Sequence, residues 1–167
     1  NKLLSFERAS GTDVSASGSR IDLNVLIANT VSAFEHNHPE RNLKVTPDLP
    51  GESLFVQADQ TMLQEAMLNI FSNSLVHGGP GLRQIWVTLR KSGADTAEIV
   101  IQDDGVGIAE DRHIEALSRF SQAGGGPGSG LGLAIAARVL KNHGGQLSIL
   151  PSARGAAIKL SLPLPGT

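Results

Sequence analysis

The sequence predicts an α+β fold: a two-layer α/β sandwich in which a mixed sheet carries helices on one face. Three observations lead there. The elements run helix, strands, helix, strands, helix, strands. The strands fall in pairs with no helix between them, which favours a mixed sheet over a wound parallel one. The chain of 167 residues suits a single domain with a real hydrophobic core.

The elements follow in order. Residues 1–8 read as the end of a helix, with Leu3, Leu4 and Phe6 apolar, and residues 9–20 as a Ser-, Gly- and Ala-rich linker. The domains predicted are therefore 1–19, the end of a helix plus linker, and 20–167, the compact unit. Asp22 is a good N-cap for a helix over 22–35, whose Leu23, Leu26, Ile27, Val31 and Phe34 recur at helical spacing. Short strands are expected near 43–46 and 53–57. Asp59 then caps a long helix to residue 77, apolar along Met62, Leu63, Ala66, Met67, Ile70 and Phe71 and stopped by Gly78-Gly79-Pro80-Gly81. Alternation predicts strands over 84–90 and 97–102. Residues 103–129 read as loop around one short helix at 110–118. A helix over 130–142, apolar on nearly every side, is expected to be buried. Strands at 146–150 and 156–162 close the chain.

Composition narrows the function classes. A net charge of −2 gives no electrostatic case for nucleic acid or anionic lipid as the main partner. The chain has no cysteine, hence no disulfide and no thiolate metal site. No apolar run approaches the ~20 residues that span a bilayer. No apolar stretch follows Asn1-Lys2-Leu3-Leu4, so this is not a signal peptide, and the start is expected to continue a longer protein. The 19 glycines are unevenly spread: a cluster runs from Gly124 to Gly132, with Gly105 and Gly107 just before, which is either a loose loop or backbone that must approach a ligand.

Three constellations carry chemistry. Glu65, Asn69, Asn73 and His77 stand four apart and share one helix face. Two asparagines in line on an otherwise apolar helix form a solvated edge or present amide oxygens to a metal–phosphate group. Asp103-Asp104-Gly105-Val106-Gly107 follows a strand: an ordinary Asp-Gly turn, or a carboxylate that accepts from an exocyclic amine while glycine leaves room for a flat ring. Gly128-Ser129-Gly130-Leu131-Gly132-Leu133 opens the buried helix, as a hinge or as an anion site of free N–H groups. A Rossmann reading fails because no strand precedes these glycines, and a P-loop reading fails because no Gly-Lys-Ser/Thr is present.

Taken together, the order and spacing of these motifs resemble the catalytic domain of sensor histidine kinases, over roughly residues 20–165. That superfamily also holds gyrase-type topoisomerases, heat-shock chaperones and mismatch-repair ATPases. Met62 to Gly78 resembles its Asn box, Ile101 to Ile108 its first glycine box, and Gly126 to Leu133 its second. Leu117-Ser118-Arg119-Phe120 resembles its phenylalanine box, with Leu117 where Phe is usual. Gly155 to Pro163 resembles its closing strand.

The resemblance implies the histidine-kinase-type ATPase fold, with ATP and Mg²⁺ as cofactors. Asp103 would bind the adenine amine, with Gly105 beside it and Gly107 lining the base. Asn73 would hold Mg²⁺ with Asn69 beside it, both serving catalysis. Gly128, Ser129, Gly130, Leu131 and Gly132 would form the phosphate loop, and residues 109–127 the ATP lid. Glu is usual at the Asn69 position in the hydrolytic branches, so Asn there favours transfer to a protein group. One departure is Val76, where the family commonly has Lys or Arg; His77 and Arg119 are the candidates to compensate.

The resemblance also implies an upstream two-helix dimerisation hairpin bearing the phosphoacceptor histidine. None of His36, His38, His77, His113 and His143 sits in a His-Glu/Asp pattern on a helix. Residues 1–19 are then the end of that hairpin and its hinge. This chain is expected to be monomeric, the full protein a homodimer signalling to a response regulator, and the domain cytoplasmic, part of an inner-membrane receptor. Two other readings stand beside this one: a catalytically weak nucleotide-binding regulatory module, and a serine kinase of the anti-sigma type.

Overall fold

The computed structural model describes residues 18–39, 42–108, 131–152 and 154–165. The expected helix end at 1–8, most of the linker and the short helix at 110–118 lie outside them. The described elements are β1 (Ser19–Asp22), α1 (Leu23–Asn37), β2 (Lys44–Asp48), β3 (Phe55–Ala58), α2 (Gln60–His77), β4 (Gln84–Ser92), β5 (Thr96–Asp103), α3 (Leu131–Asn142), β6 (Gln146–Leu150) and β7 (Ala157–Pro163). Five strands form one mixed sheet in the order β2-β4-β5-β7-β6. Only β2 and β4 run parallel in it; the other neighbours are antiparallel.

One expectation is corrected. Ser19 and Arg20 are not linker but strand, since β1 pairs antiparallel with β3, Ile21 opposite Val56. Ile21 is buried, and the Arg20 guanidinium lies 4.0 Å above the Phe55 ring. A four-residue strand shows no periodicity of its own. What forms it is a partner over thirty residues away, which local patterning cannot reveal.

Caps behave as their residue types dictate. The Asp22 carboxylate accepts from the backbone N–H of Asn24 at 2.9 Å and Val25 at 3.3 Å, and Asp59 accepts from Met62 at 3.0 Å. Both helices therefore start where the sequence predicts. Helix α2 stops at Gly78, after which Gly79 takes φ +83.

Strand alternation builds the core. Ile85, Val87 and Leu89 of β4, Ala97, Ile99 and Ile101 of β5, and Ile158, Leu160 and Leu162 of β7 face the same way and join Leu26, Met67, Ile70 and Leu140 from the three helices in one buried cluster. In β5 the inward row continues one residue further, to Asp103. A carboxylate thus occupies the last core-facing position of a strand. Helix α3 packs on α2 and is followed directly by His143, which is buried. The His143 Nδ1 is 2.8 Å from the Val139 carbonyl, and its Nε2 accepts from the Asp59 N–H at 3.1 Å. A carbonyl can only accept and an N–H only donate, so these partners call for neutral imidazole with the proton on Nδ1. The end of α3 is thereby fastened to the start of α2. Among the described residues no helix is long and apolar enough to cross a membrane.

Candidate functional site

The site is assembled around Asp103, which is 4% exposed. Its backbone N–H donates to the Ala156 carbonyl at 2.9 Å. Its Oδ1 accepts from the N–H groups of Gly105 and Ala156, each at 3.0 Å. Its Oδ2 accepts from the Ser74 hydroxyl of α2 at 2.7 Å. Two carboxylate oxygens offer about four acceptor positions, so with one bond made among the described residues Oδ2 keeps a lone pair for another donor. The carboxylate is fixed on three sides and open to one more donor.

Close backbone approach shapes the loop that follows. The Val106 N–H donates to the Gly78 carbonyl at 2.9 Å, which clips the loop to the end of α2. A Cβ on Gly105 would lie 2.5 Å from that same oxygen. Gly107 has φ +82, and a Cβ there would meet the Gly155 carbonyl at 2.7 Å. Gly155 has φ +71, and its Cβ would run into the Asp103 carbonyl. Three chain segments therefore touch backbone to backbone, and larger residues would push them apart.

The two adjacent aspartates have separate tasks. Asp104 turns away from Asp103 and accepts from the N–H groups of Arg83 at 2.8 Å and Gln84 at 3.0 Å, with the Arg154 guanidinium 4.0 Å away. Partial burial opposes its charge, but these N–H groups, its own N–H and Arg154 outweigh that and hold its pKa below the ordinary carboxylate value. Asp104 thus anchors the loop to β4.

Of the four aligned residues on α2, Glu65 is half-buried, Asn69 buried, and the last two are progressively more exposed. Asn69 is 1% exposed, and neither atom of its amide has a hydrogen-bond partner among the described residues. The buried Oε1 of Glu65, one turn earlier, also lacks one among them. Asn73 is half-buried and His77 exposed. The Ser74–Asp103 bond ties the turn bearing Asn73 to the loop at Asp103. The structure thus joins the Asn69–Asn73 helix to Asp103, Gly105 and Gly107, whereas His77 lies at the helix end. Leu131 and Gly132 open α3. Arg119, Gly128, Ser129, Gly130 and the residues expected to form a lid lie outside the described residues. Val76, the departure noted above, is 47% exposed.

Sequence reasoning missed Ser74, Gly78 and the Gly155–Ala156 turn as parts of the site. Ser74 carried a readable signal. It continues the apolar stripe Leu63, Ala66, Met67, Ile70, Phe71 at helical spacing, so it had to be buried and had to find a partner. The turn carried none, because its role comes from lying beside β5.

Residues 58–166 match the family described as histidine kinase-, DNA gyrase B- and HSP90-like ATPases. The chain belongs to this family. Within it the similarities are to sensor histidine kinases. The sensor-like histidine kinase SenX3 of Mycobacterium tuberculosis is 29% identical over 170 residues, covering 97% of this chain and 40% of SenX3. The solved mycobacterial sensor histidine kinase MprB is 28% identical with a TM-score of 0.74, covering 90% of this chain and 99% of that one. The ATP binding domain of PrrB from Mycobacterium tuberculosis is 27% identical with a TM-score of 0.74, covering 89% and 98%. This histidine-kinase-type domain therefore spans well under half the length of full-length relatives such as SenX3, while it matches nearly all of the solved MprB and PrrB chains. It is the ATP-binding catalytic domain of that architecture.

Proposed function

We propose that this domain binds Mg²⁺–ATP and transfers the γ-phosphoryl group to a histidine on an upstream helical hairpin of the same protein. The observation that carries the proposal is the Asn69 amide: buried, without a partner among the described residues, and on the helix that donates to Asp103. An unpaired buried amide costs about 1–3 kcal/mol per group, which a ligand can offset. An adenine amine fits the open lone pair of Asp103 Oδ2, and the missing Cβ atoms of Gly105 and Gly107 keep the neighbouring backbone close. Asn73 supplies an amide oxygen to Mg²⁺, with Asn69 beside it. A hard cation of this kind takes few protein ligands and fills the rest with phosphate and water, which suits a site built on amides. Bound Mg²⁺ neutralises charge on the phosphates. Gly128, Ser129, Gly130, Leu131 and Gly132 offer backbone N–H groups to the phosphates at the start of α3, and His77 and Arg119 stand in for the cation absent at Val76.

In the reaction, the bond from the γ-phosphorus to the bridging oxygen breaks, a P–N bond forms at the imidazole, the imidazole proton leaves, and ADP departs. Such transfer depends on placing the nucleophile in line. Apart from His113, which lies outside the described residues and is the first candidate for a spurious acceptor, this chain's own histidines are poor candidates. His143 is held by two partners in the core, His36 and His38 lie at the end of α1, and His77 belongs to a packed helix. The residues that precede β1 serve as the end of the hairpin and its hinge. In the full protein the phosphohistidine passes its group to a response regulator, and the protein is a homodimer whose kinase part faces the cytoplasm.

Labelled ATP tests this. The chain is incubated with it alone and together with a longer form of the protein that carries the hairpin. Label should appear only on the hairpin, as acid-labile phosphohistidine. Stable label on this chain alone contradicts the proposal.

A further inference from the structure

Three buried polar atoms on α2 have no hydrogen-bond partner among the described residues: Oε1 of Glu65, and Oδ1 and Nδ2 of Asn69. The two residues are one helical turn apart, on one face. Folded proteins leave few such atoms unpaired, so each needs a reason. The asparagine has one in the phosphate-side role proposed above. The glutamate has none there, because the adenine and metal contacts are assigned to other residues.

Counting donors and acceptors supplies the reason. Glu65 Oε1, in a carboxylate, and Asn69 Oδ1 can only accept, while Asn69 Nδ2 can only donate. An amide that turned Nδ2 toward the ligand would set its Oδ1 against the Glu65 oxygen and offer a cation N–H groups, which are not ligands. The opposite orientation pairs Nδ2–H with Glu65 and frees Oδ1 for a hard cation or its water. At i and i+4 the side chains are within reach of one another by rotamer change. We infer that Glu65 is a positioning residue: in the nucleotide-bound domain its carboxylate accepts from Asn69 Nδ2–H and holds the amide oxygen toward the metal–phosphate group. An anionic acceptor on Nδ2 also polarises the amide and makes its oxygen the better ligand. Glu65 itself does not touch the nucleotide. The inference rests on the reading of Asn69 given under Proposed function.

A purely structural Glu65 and a positioning Glu65 predict opposite stability effects. Replacing an unpartnered buried acceptor by an apolar group of similar size should hold or raise the thermal midpoint. The test is calorimetric titration of Mg²⁺–ATP into the 167-residue chain and its variants Glu65→Leu, Glu65→Gln, Asn69→Ala and the Leu/Ala double, with a thermal midpoint for each. Glu65→Leu should weaken binding about tenfold without lowering the midpoint. Glu65→Gln keeps an acceptor oxygen and should stay within about threefold of the wild type. In the Asn69→Ala background, Glu65→Leu should cost nothing further, because the amide it orients is gone. A lowered midpoint for Glu65→Leu, an equal loss for Gln and Leu, or additive losses in the double variant each overturn the positioning role while leaving Asn69 in place. Wild-type affinity in Asn69→Ala alone overturns the phosphate-side reading of Asn69, and the inference with it.

Discussion

At Asp103 three hydrogen bonds fix the carboxylate and three glycines hold the surrounding backbone in contact, whereas earlier on α2 the buried Asn69 amide and the buried Oε1 of half-buried Glu65 have no partner among the described residues. The same helix serves both regions: Ser74 completes the first, and Asn69 waits in the second. The contrast teaches how the two ends of ATP are met. On the proposed reading, the end that would read the base is finished by folding itself, since its geometry comes from sheet register and backbone approach. The end proposed to meet metal and phosphate is left incomplete among the described residues, and on that reading the ligand would finish it. Losses at the first end should therefore show in stability as well as affinity, and losses at the second in affinity alone.

The largest effect should come from Gly155→Val. It demands a β-branched residue at φ +71 and drives a Cβ into the Asp103 carbonyl. Denaturant unfolding should register a loss of about 3 kcal/mol or more. Gly51→Ala, with nothing near its Cβ, serves as the control and should change stability little. Wild-type stability in Gly155→Val means that the β6–β7 turn does not buttress the Asp103 end.

Asp103→Asn comes next. A hydrogen bond to a charged acceptor contributes about 1.5–3 kcal/mol, so ATP affinity should fall about ten- to hundredfold by calorimetry. The Asn oxygen can still accept from Gly105 and Ala156, which turns its NH₂ toward Ser74 and the base amine, donor against donor. Unchanged affinity means that Asp103 does not read the base. Asn73→Ala should have a smaller effect, confined to metal: ATP affinity with Mg²⁺ should drop about tenfold toward the value in EDTA, with an unaltered unfolding midpoint. A full Mg²⁺ response in the mutant places the metal elsewhere.

The smallest effect is the pH dependence of Asp104. Its pKa is depressed in the folded state, so its charge stabilises the fold fully above the unfolded value of about 3.9 and loses that contribution as pH falls through the lower folded value. The stability difference between wild type and Asp104→Asn should be constant from pH 7 to about pH 4 and close below it. A difference that closes well above pH 4 assigns the titration to another group.

How much of this was legible beforehand follows from where each signal lives. The helices and their caps were readable because Asp22 and Asp59 act on N–H groups two or three residues away, and strands β4 to β7 because alternation is local. Asp103, Asn69 and Asn73 were singled out through the resemblance of their motifs, since local patterning alone left an Asp-Gly turn and a solvated helix edge open. What escaped is non-local. Strand β1 exists only through β3, Ser74 matters only because β5 ends opposite it, and Gly155 only because its turn abuts the Asp103 carbonyl. No window of sequence holds both halves of such contacts.

The central claim is that Asp103 Oδ2 keeps one lone pair for the amine of adenine. Inosine triphosphate tests it most directly, since it carries the same phosphates and ribose but a carbonyl oxygen in place of that amine. Competition calorimetry with Mg²⁺ on the wild-type chain should show ATP bound about ten- to hundredfold more tightly, because the exchange sets an acceptor against an acceptor. Equal affinity for the two nucleotides, or no binding of ATP at all, would contradict the account.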